Sequence, residues 1–165
     1  MPSAATGPPT LRALTSGDGP AVRALAMPEI DRSPYRAGAQ SALDTAIGGA
    51  SRESRGIVAL GDARLVGVAV YGEIAGASGA GRLQLIVVDR DVRRRGIATR
   101  LVERCVGGLA ADGIRFVAIE LPDDPGLSGS LELLLGCGFR VEATVADYFR
   151  DGIGLAILRR ELETD

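Results

Sequence analysis

Two nearly continuous apolar runs, Leu83–Val88 (LQLIVV) and Phe116–Leu121 (FVAIEL), flank a segment with helical spacing. Apolar runs of that length suit strands buried on both faces. Between them Ile97, Leu101, Cys105 and Leu109 recur on one helical face. Ala98, Val102 and Val106 lie beside that face, and Arg100, Glu103 and Arg104 point away. A helix joining two such strands is a crossover, so the strands are predicted to be parallel neighbours in one sheet. The βαβ unit makes the chain an α/β protein.

The flanking sequence adds strands and helices around this unit. Thr10–Leu14 reads as a strand. Ser16 or Asp18 can cap a helix with Pro20 in its first turn, ending before Pro28. Ser33 and Pro34 are expected to start a second helix, which Gly48-Gly49 ends. Gly56–Leu60 and Leu65–Tyr71 read as a hairpin closed by GDAR, and Gly76–Gly81 (GASGAG) as a mobile connection. After LPDDPG, Ser128 is expected to cap a short helix to Leu135. GCGF then leads into strand Arg140–Tyr148, and RDG turns into strand Ile153–Leu162. Seven strands and four helices in 165 residues, 46% of them apolar, fit one domain with one core. Its expected extent is 10–165, after a flexible tail of residues 1–9.

Absent residue types narrow the chemistry. All 19 basic residues are arginine, and there is no lysine or histidine. Schiff-base chemistry, the lysine of a Walker loop, Ser-His and Cys-His pairs and histidine-ligated metals are thereby excluded, and no metal site is expected. Acid–base work falls to Asp, Glu, Tyr, Cys, water or backbone groups. A net charge of −2 and only six Phe and Tyr, without Trp, argue against nucleic acid as partner. Cys105 and Cys137 read as small core residues. The first ten residues lack the basic and apolar regions of a signal peptide, and no segment reaches the ~18 apolar residues of a membrane span. A cytoplasmic location without membrane contact is expected.

The junction VVDRDVRRRGIATRLV, Val87–Val102, carries the sharpest functional signal. The strand ends near Asp89 and the crossover helix starts near Gly96. There the first backbone N–H groups lack helical partners and the positive end of the helix dipole emerges. Gly96 allows close backbone approach, Ala98 keeps the next position small, and Arg93, Arg94 and Arg95 add positive charge. An isolated triple arginine reads as a solvated turn. Behind a buried strand and before a small residue on a helix, it reads as an anion site suited to a diphosphate.

This arrangement resembles the GNAT superfamily of acyl-CoA-dependent N-acetyltransferases. RRRGIA, Arg93–Ala98, matches the family's R/Q-x-x-G-x-G/A coenzyme A loop. LIVVDRDV resembles its fourth strand, LGCGF the helix end and start of its sixth strand, and YFRDGIGLAILRREL its closing hairpin. The resemblance covers roughly Gly56 to Leu162. It implies a single GNAT-like domain with a mixed sheet of about seven strands, the parallel fourth and fifth splayed apart, and about four helices. It also implies that the amides from Arg94 through Gly96, Ile97 and Ala98 to Thr99 hold the pyrophosphate of acetyl-CoA, the acyl donor, with Arg93 bracing the loop or a phosphate and Arg95 beside it. The pantetheine arm would bond the edge formed by Ile86, Val87 and Val88. The implied reaction is direct transfer of acetyl to a primary amine of a small molecule or protein, by a monomer or homodimer.

The family's usual acid and base are replaced. Its tyrosine before GF falls at Leu134, and its fourth-strand glutamate at Arg82 or Gln84. Glu120 at the end of the fifth strand and Tyr148 on the sixth are the candidate catalytic residues, with Glu73 a further carboxylate that could bound the acceptor cleft. Asp123 and Asp124 read as a turn, Ser128 and Ser130 as helix-cap residues. The replacements also suit a second function, a non-catalytic acyl-CoA-binding sensor or partner-binding module.

Overall fold

A computed structural model describes residues 7–163, so residues 1–6 of the expected tail lie outside it. Seven strands form one sheet: β1 (Thr10–Ala13), β2 (Arg55–Gly61), β3 (Arg64–Glu73), β4 (Ala80–Val88), β5 (Phe116–Asp123), β6 (Arg140–Arg150) and β7 (Ile153–Glu161). Their spatial order is β1-β2-β3-β4-β5-β7-β6. Only β4 and β5 run parallel, as the crossover predicts. Helices α1 (Gly19–Ile30) and α2 (Arg36–Gly48) cover one face. Helix α3 (Ile97–Ala111) covers the other, with α4 (Ser128–Gly136) beside it. Among the described residues no helix is long and apolar enough to cross a membrane.

Sequence decides how closely these layers approach. The predicted face of α3 is buried at Leu101, Val102, Cys105 and Leu109. Gly67 and Gly81 form the seat beneath it, since a Cβ on either would stand 3.0 Å from Leu101 or Leu109. Burial raises the Cys105 thiol to about 12, consistent with an inert core residue. On the opposite face Val22, Ala26 and Ile30 of α1 and Leu43 and Ala46 of α2 pack on Val58, Val68, Val70 and Val87. The β2–β3 hairpin turns through Asp62 and Ala63, with φ of 51° and 61°, both left-handed as a two-residue loop requires.

Four local expectations need correction. α1 continues through Pro28 to Ile30: a proline in the last turn removes a single helical bond, and Ile30 is 2% exposed. α2 begins at Arg36 because the Ser33 hydroxyl accepts the Tyr35 N–H at 3.1 Å and forms a turn there. Ser128 is the first helical residue of α4 and makes no capping bond; Asp124 instead accepts the Gly126 N–H at 3.0 Å and builds the preceding turn. The GASGAG connection is a closed turn, with Ala77 bonded to Ile74, Ala80 to Ala77, and Ile74 to Ala80.

The feature that positions the site lies between β4 and β5. They pair from Ala80–Phe116 to Leu83–Ile119 and then part. At the same point the β3–β4 ladder shifts, Tyr71 opposing Leu83 and Val70 opposing Leu85, which leaves Gln84 as an extra residue on β4. A bulge bends its strand and increases local twist, so the Gln84 bulge turns β4 off β5 while β5 stays paired with β7 as far as Asp123. The sheet opens into a V.

Candidate active site

The β4 wall of the V is an unpaired strand edge. The Asp89 N–H bonds the Val66 carbonyl at 2.8 Å, toward β3. Strand alternation then turns the Val87 backbone groups toward β3 as well, and those of Ile86 and Val88 toward the opening. Of the three residues expected to present main-chain bonds, Val87 is therefore corrected: its side chain is buried under α1 and its backbone serves the β3 ladder. Arg93 reaches back so that its Nε donates to the Val88 carbonyl at 3.2 Å. Ile86 offers its N–H and C=O to the cleft.

The loop that follows is held from several sides. Asp89 accepts the Asp91 N–H at 3.0 Å and pairs with Arg64 at 2.5 Å. These bonds, the Asp91 N–H first, keep its carboxylate below the ordinary range. Glu29 on α1 pairs with Arg90 at 2.8 Å and Arg93 at 3.5 Å, and is lowered mainly by the Arg90 hydrogen bond. The chain then turns through two left-handed residues, Arg94 at φ 63° and Gly96 at φ 76°, into α3. The first bond of the helix runs from the Arg100 N–H to the Gly96 carbonyl at 3.1 Å. Among the described residues nothing accepts the N–H groups of Arg94, Arg95, Gly96, Ile97, Ala98 and Thr99. A Cβ on Gly96 would meet nothing within 4 Å, so the space before this row of donors is open. The Ile97 side chain is 4% exposed and belongs to the core, leaving its amide for binding. Arg93, Arg94, Arg95 and Thr99 are exposed, and Ala98 is half-buried. Free donors, a helix N-terminus and three guanidinium groups suit a pyrophosphate, and the adjacent open edge suits an extended amide-bearing arm.

The second wall is assembled from distant segments. Leu83 and Ile119 face the α3 core, so Arg82 and Glu120 project on the opposite face, toward α1 and α2. Tyr35, ahead of α2, is near enough to feel both charges. Burial raises its hydroxyl pKa first, the Glu120 charge raises it further, and Arg82 opposes that rise. The Tyr35 ring meets Phe149 edge-on at 6.1 Å, and Phe149 meets Tyr148 at 5.0 Å. Gly38 makes this placement possible, because a Cβ there would lie 2.5 Å from the Tyr35 ring. Glu120, exposed on β5, and Tyr148, 58% exposed on β6, thus both lie in the neighbourhood of Tyr35. Glu73 does not: it lies at the paired end of the sheet, bonded to Arg52 at 2.8 Å. Leu134 is buried in the α3-side core and has no proton to give. Sequence reasoning passed over Tyr35. Its one signal was a third of the chain's tyrosines standing in an otherwise unremarkable loop.

The Gln84 carboxamide fixes the floor. With its oxygen toward Arg82 it accepts from Nε and Nη2 at 2.9 Å each, and its nitrogen donates to Ser54 Oγ at 3.3 Å. Ser54, buried, also donates to the Ala42 carbonyl of α2 at 3.3 Å. The bulge, α2 and the Arg82 head are therefore one connected polar unit.

Comparison with known proteins agrees with this fold. No curated protein matches the sequence significantly. Among solved structures, a protein assigned to the GNAT family from Desulfovibrio desulfuricans superposes with a TM-score of 0.83 at 22% identity, covering 93% of this chain and 98% of that one. A phosphinothricin acetyltransferase from Sinorhizobium meliloti in complex with AcCoA gives 0.76 at 17%, covering 94% and 89%. A ribosomal-protein-alanine N-acetyltransferase from Brucella melitensis gives 0.74 at 17%, covering 93% and 99%. At these identities the likeness establishes the fold. The sequence profile of the acetyltransferase (GNAT) family matches residues 24–139, a stretch that includes α2, the Gln84 bulge, the arginine loop and α4, and the chain belongs to that family.

Proposed function

We propose that the protein transfers an acetyl group from acetyl-CoA to a primary amine. The observation that carries this reading is the open β4 edge running directly into six free backbone donors at the start of α3. The amides of Arg94–Thr99 hold the pyrophosphate, Arg93 braces the loop through Val88, and Ile86 bonds the pantetheine arm. The coenzyme supplies an activated thioester. Glu120 receives the acceptor's ammonium group and gives its proton a path to solvent. The C–N bond forms as the C–S bond breaks, and the departing thiolate takes a proton from Tyr148 or from water. With no lysine in the chain and no charged base buried at the cleft, catalysis rests mainly on positioning.

The test is acceptor-dependent thiol release with acetyl-CoA and a broad amine panel. Without lysine side chains, release in the absence of acceptor cannot come from lysine self-acetylation. Glu120→Gln is expected to lower kcat about 10- to 100-fold with unchanged coenzyme affinity. Leu134, standing where the family's tyrosine is expected, favours a second reading, a non-catalytic acyl-CoA-binding module. Tight coenzyme binding without turnover on any amine would select it.

A further inference from the structure

The acceptor wall carries two opposite charges on one face of the sheet that do not neutralise each other. Arg82 on β4 and Glu120 on β5 flank the point where the strands part. Among the described residues neither has an ion-pair partner. On the same face of β7, Arg159 is committed: it stacks on Phe116 at 3.9 Å and bonds Glu161 at 2.6 Å. Arg82 is also oriented in advance. Gln84 accepts one hydrogen from Nε and one from Nη2, which leaves three, two on Nη1 and one on Nη2, for another acceptor. Holding a guanidinium by one edge reduces the ordering cost of binding an anion with the other.

Resting on the acetyltransferase reading above, we infer that the acceptor is a zwitterion, an α-amino acid or close analogue, whose ammonium meets Glu120 and whose carboxylate meets Arg82. Tyr35 is close enough to feel both charges and, with Phe149 and Tyr148, forms an aromatic wall for an apolar side chain. The Tyr35 hydroxyl, a phenol protonated at neutral pH, can donate to the same carboxylate. An amine lacking the carboxylate would forgo the pairing with Arg82, whose guanidinium Gln84 already orients. A peptide N-terminus lacks that carboxylate too.

The experiment compares leucine, methionine and phenylalanine with their carboxamides and with the corresponding decarboxylated amines, each with acetyl-CoA, as kcat/KM on the intact chain. The acids are expected to exceed their amides at least 10-fold for one or more side chains. In Arg82→Gln the ratio should fall toward one through loss on the acid, and Arg82→Lys should restore part of it. Because both substrates are measured on one protein, a general loss of folded enzyme leaves the ratio unchanged. Amides or simple amines acetylated as well as the acids would overturn the zwitterion and leave the acetyltransferase reading intact. Coenzyme binding by calorimetry with no acetylation of any compound would overturn both.

Discussion

The same two strands, β4 and β5, behave differently along their length. From Ala80 to Leu83 they are paired, and Gly81 lies under Leu109 of α3 in a core with almost no solvent exposure. Beyond Gln84 they are apart, and the backbone groups of Ile86 have no partner on β5. A single bulged residue separates a half that stabilises the fold from a half that the proposed function assigns to binding. Unpaired backbone groups are costly when buried and tolerable where solvent or a ligand reaches them. The opening therefore sits at the carboxyl end of β4, beside the free end of α3.

Perturbations should separate the halves. The largest effect is expected at Gly96, where Glu would force a side chain into a left-handed position and set a negative charge before the donor row. Losing several charge-assisted bonds at ~1.5–3 kcal/mol each should weaken coenzyme binding at least about 100-fold. The melting temperature should fall only slightly, because the residue is exposed. In the closed half, Leu109→Ala should cost about 2–3 kcal/mol in denaturant unfolding through a cavity over Gly81. Coenzyme affinity of the folded protein should then stay within about twofold, since no donor of the loop is touched. If Leu109→Ala weakened the coenzyme as strongly as Gly96→Glu, the two halves would not be separable.

Smaller effects refine the picture. Arg93→Ala removes the bond to Val88 and the pair with Glu29, and should weaken coenzyme binding by about 1 kcal/mol, roughly fivefold in calorimetry. Arg94→Ala should cost less, because its amide does the holding. The smallest effect lies away from the site. Arg12 bonds the Asp18 carboxylate at 2.7 and 2.8 Å and holds its pKa below the ordinary carboxylate range, with the Thr15 N–H assisting. A depressed folded-state pKa gives stability that is present above the unfolded value of about 3.9 and is lost as pH falls through the folded one. Asp18→Asn should therefore be less stable than the parent at neutral pH, and the gap should shrink below about pH 4 in urea titrations.

The half assigned to the coenzyme was legible as a candidate site because it is contiguous. A buried strand, three arginines, Gly96 and an amphipathic helix follow one another, and each constrains the next. The proposed acceptor half was not. Residues 35, 82, 120 and 148 meet only through the topology, and the position of Tyr35 depends on Gly38 leaving room for its ring. The Gln84 bulge has no residue signature, and the family resemblance assigned Ile86, Val87 and Val88 together to the open edge, whereas the Val87 backbone faces β3. Pro28 misled for a different reason: the helix tolerates a lost bond in its final turn in exchange for burying Ile30.

The central claim is that the backbone at the start of α3 and along the open half of β4 holds the coenzyme. Amide hydrogen exchange with and without coenzyme A reads those groups one by one. Saturating coenzyme should slow exchange at Arg94–Thr99 and at Ile86, while the paired half of β4, Gly81–Leu83, stays as protected as before. Unchanged exchange across Arg94–Thr99 in a protein saturated with coenzyme would contradict the account.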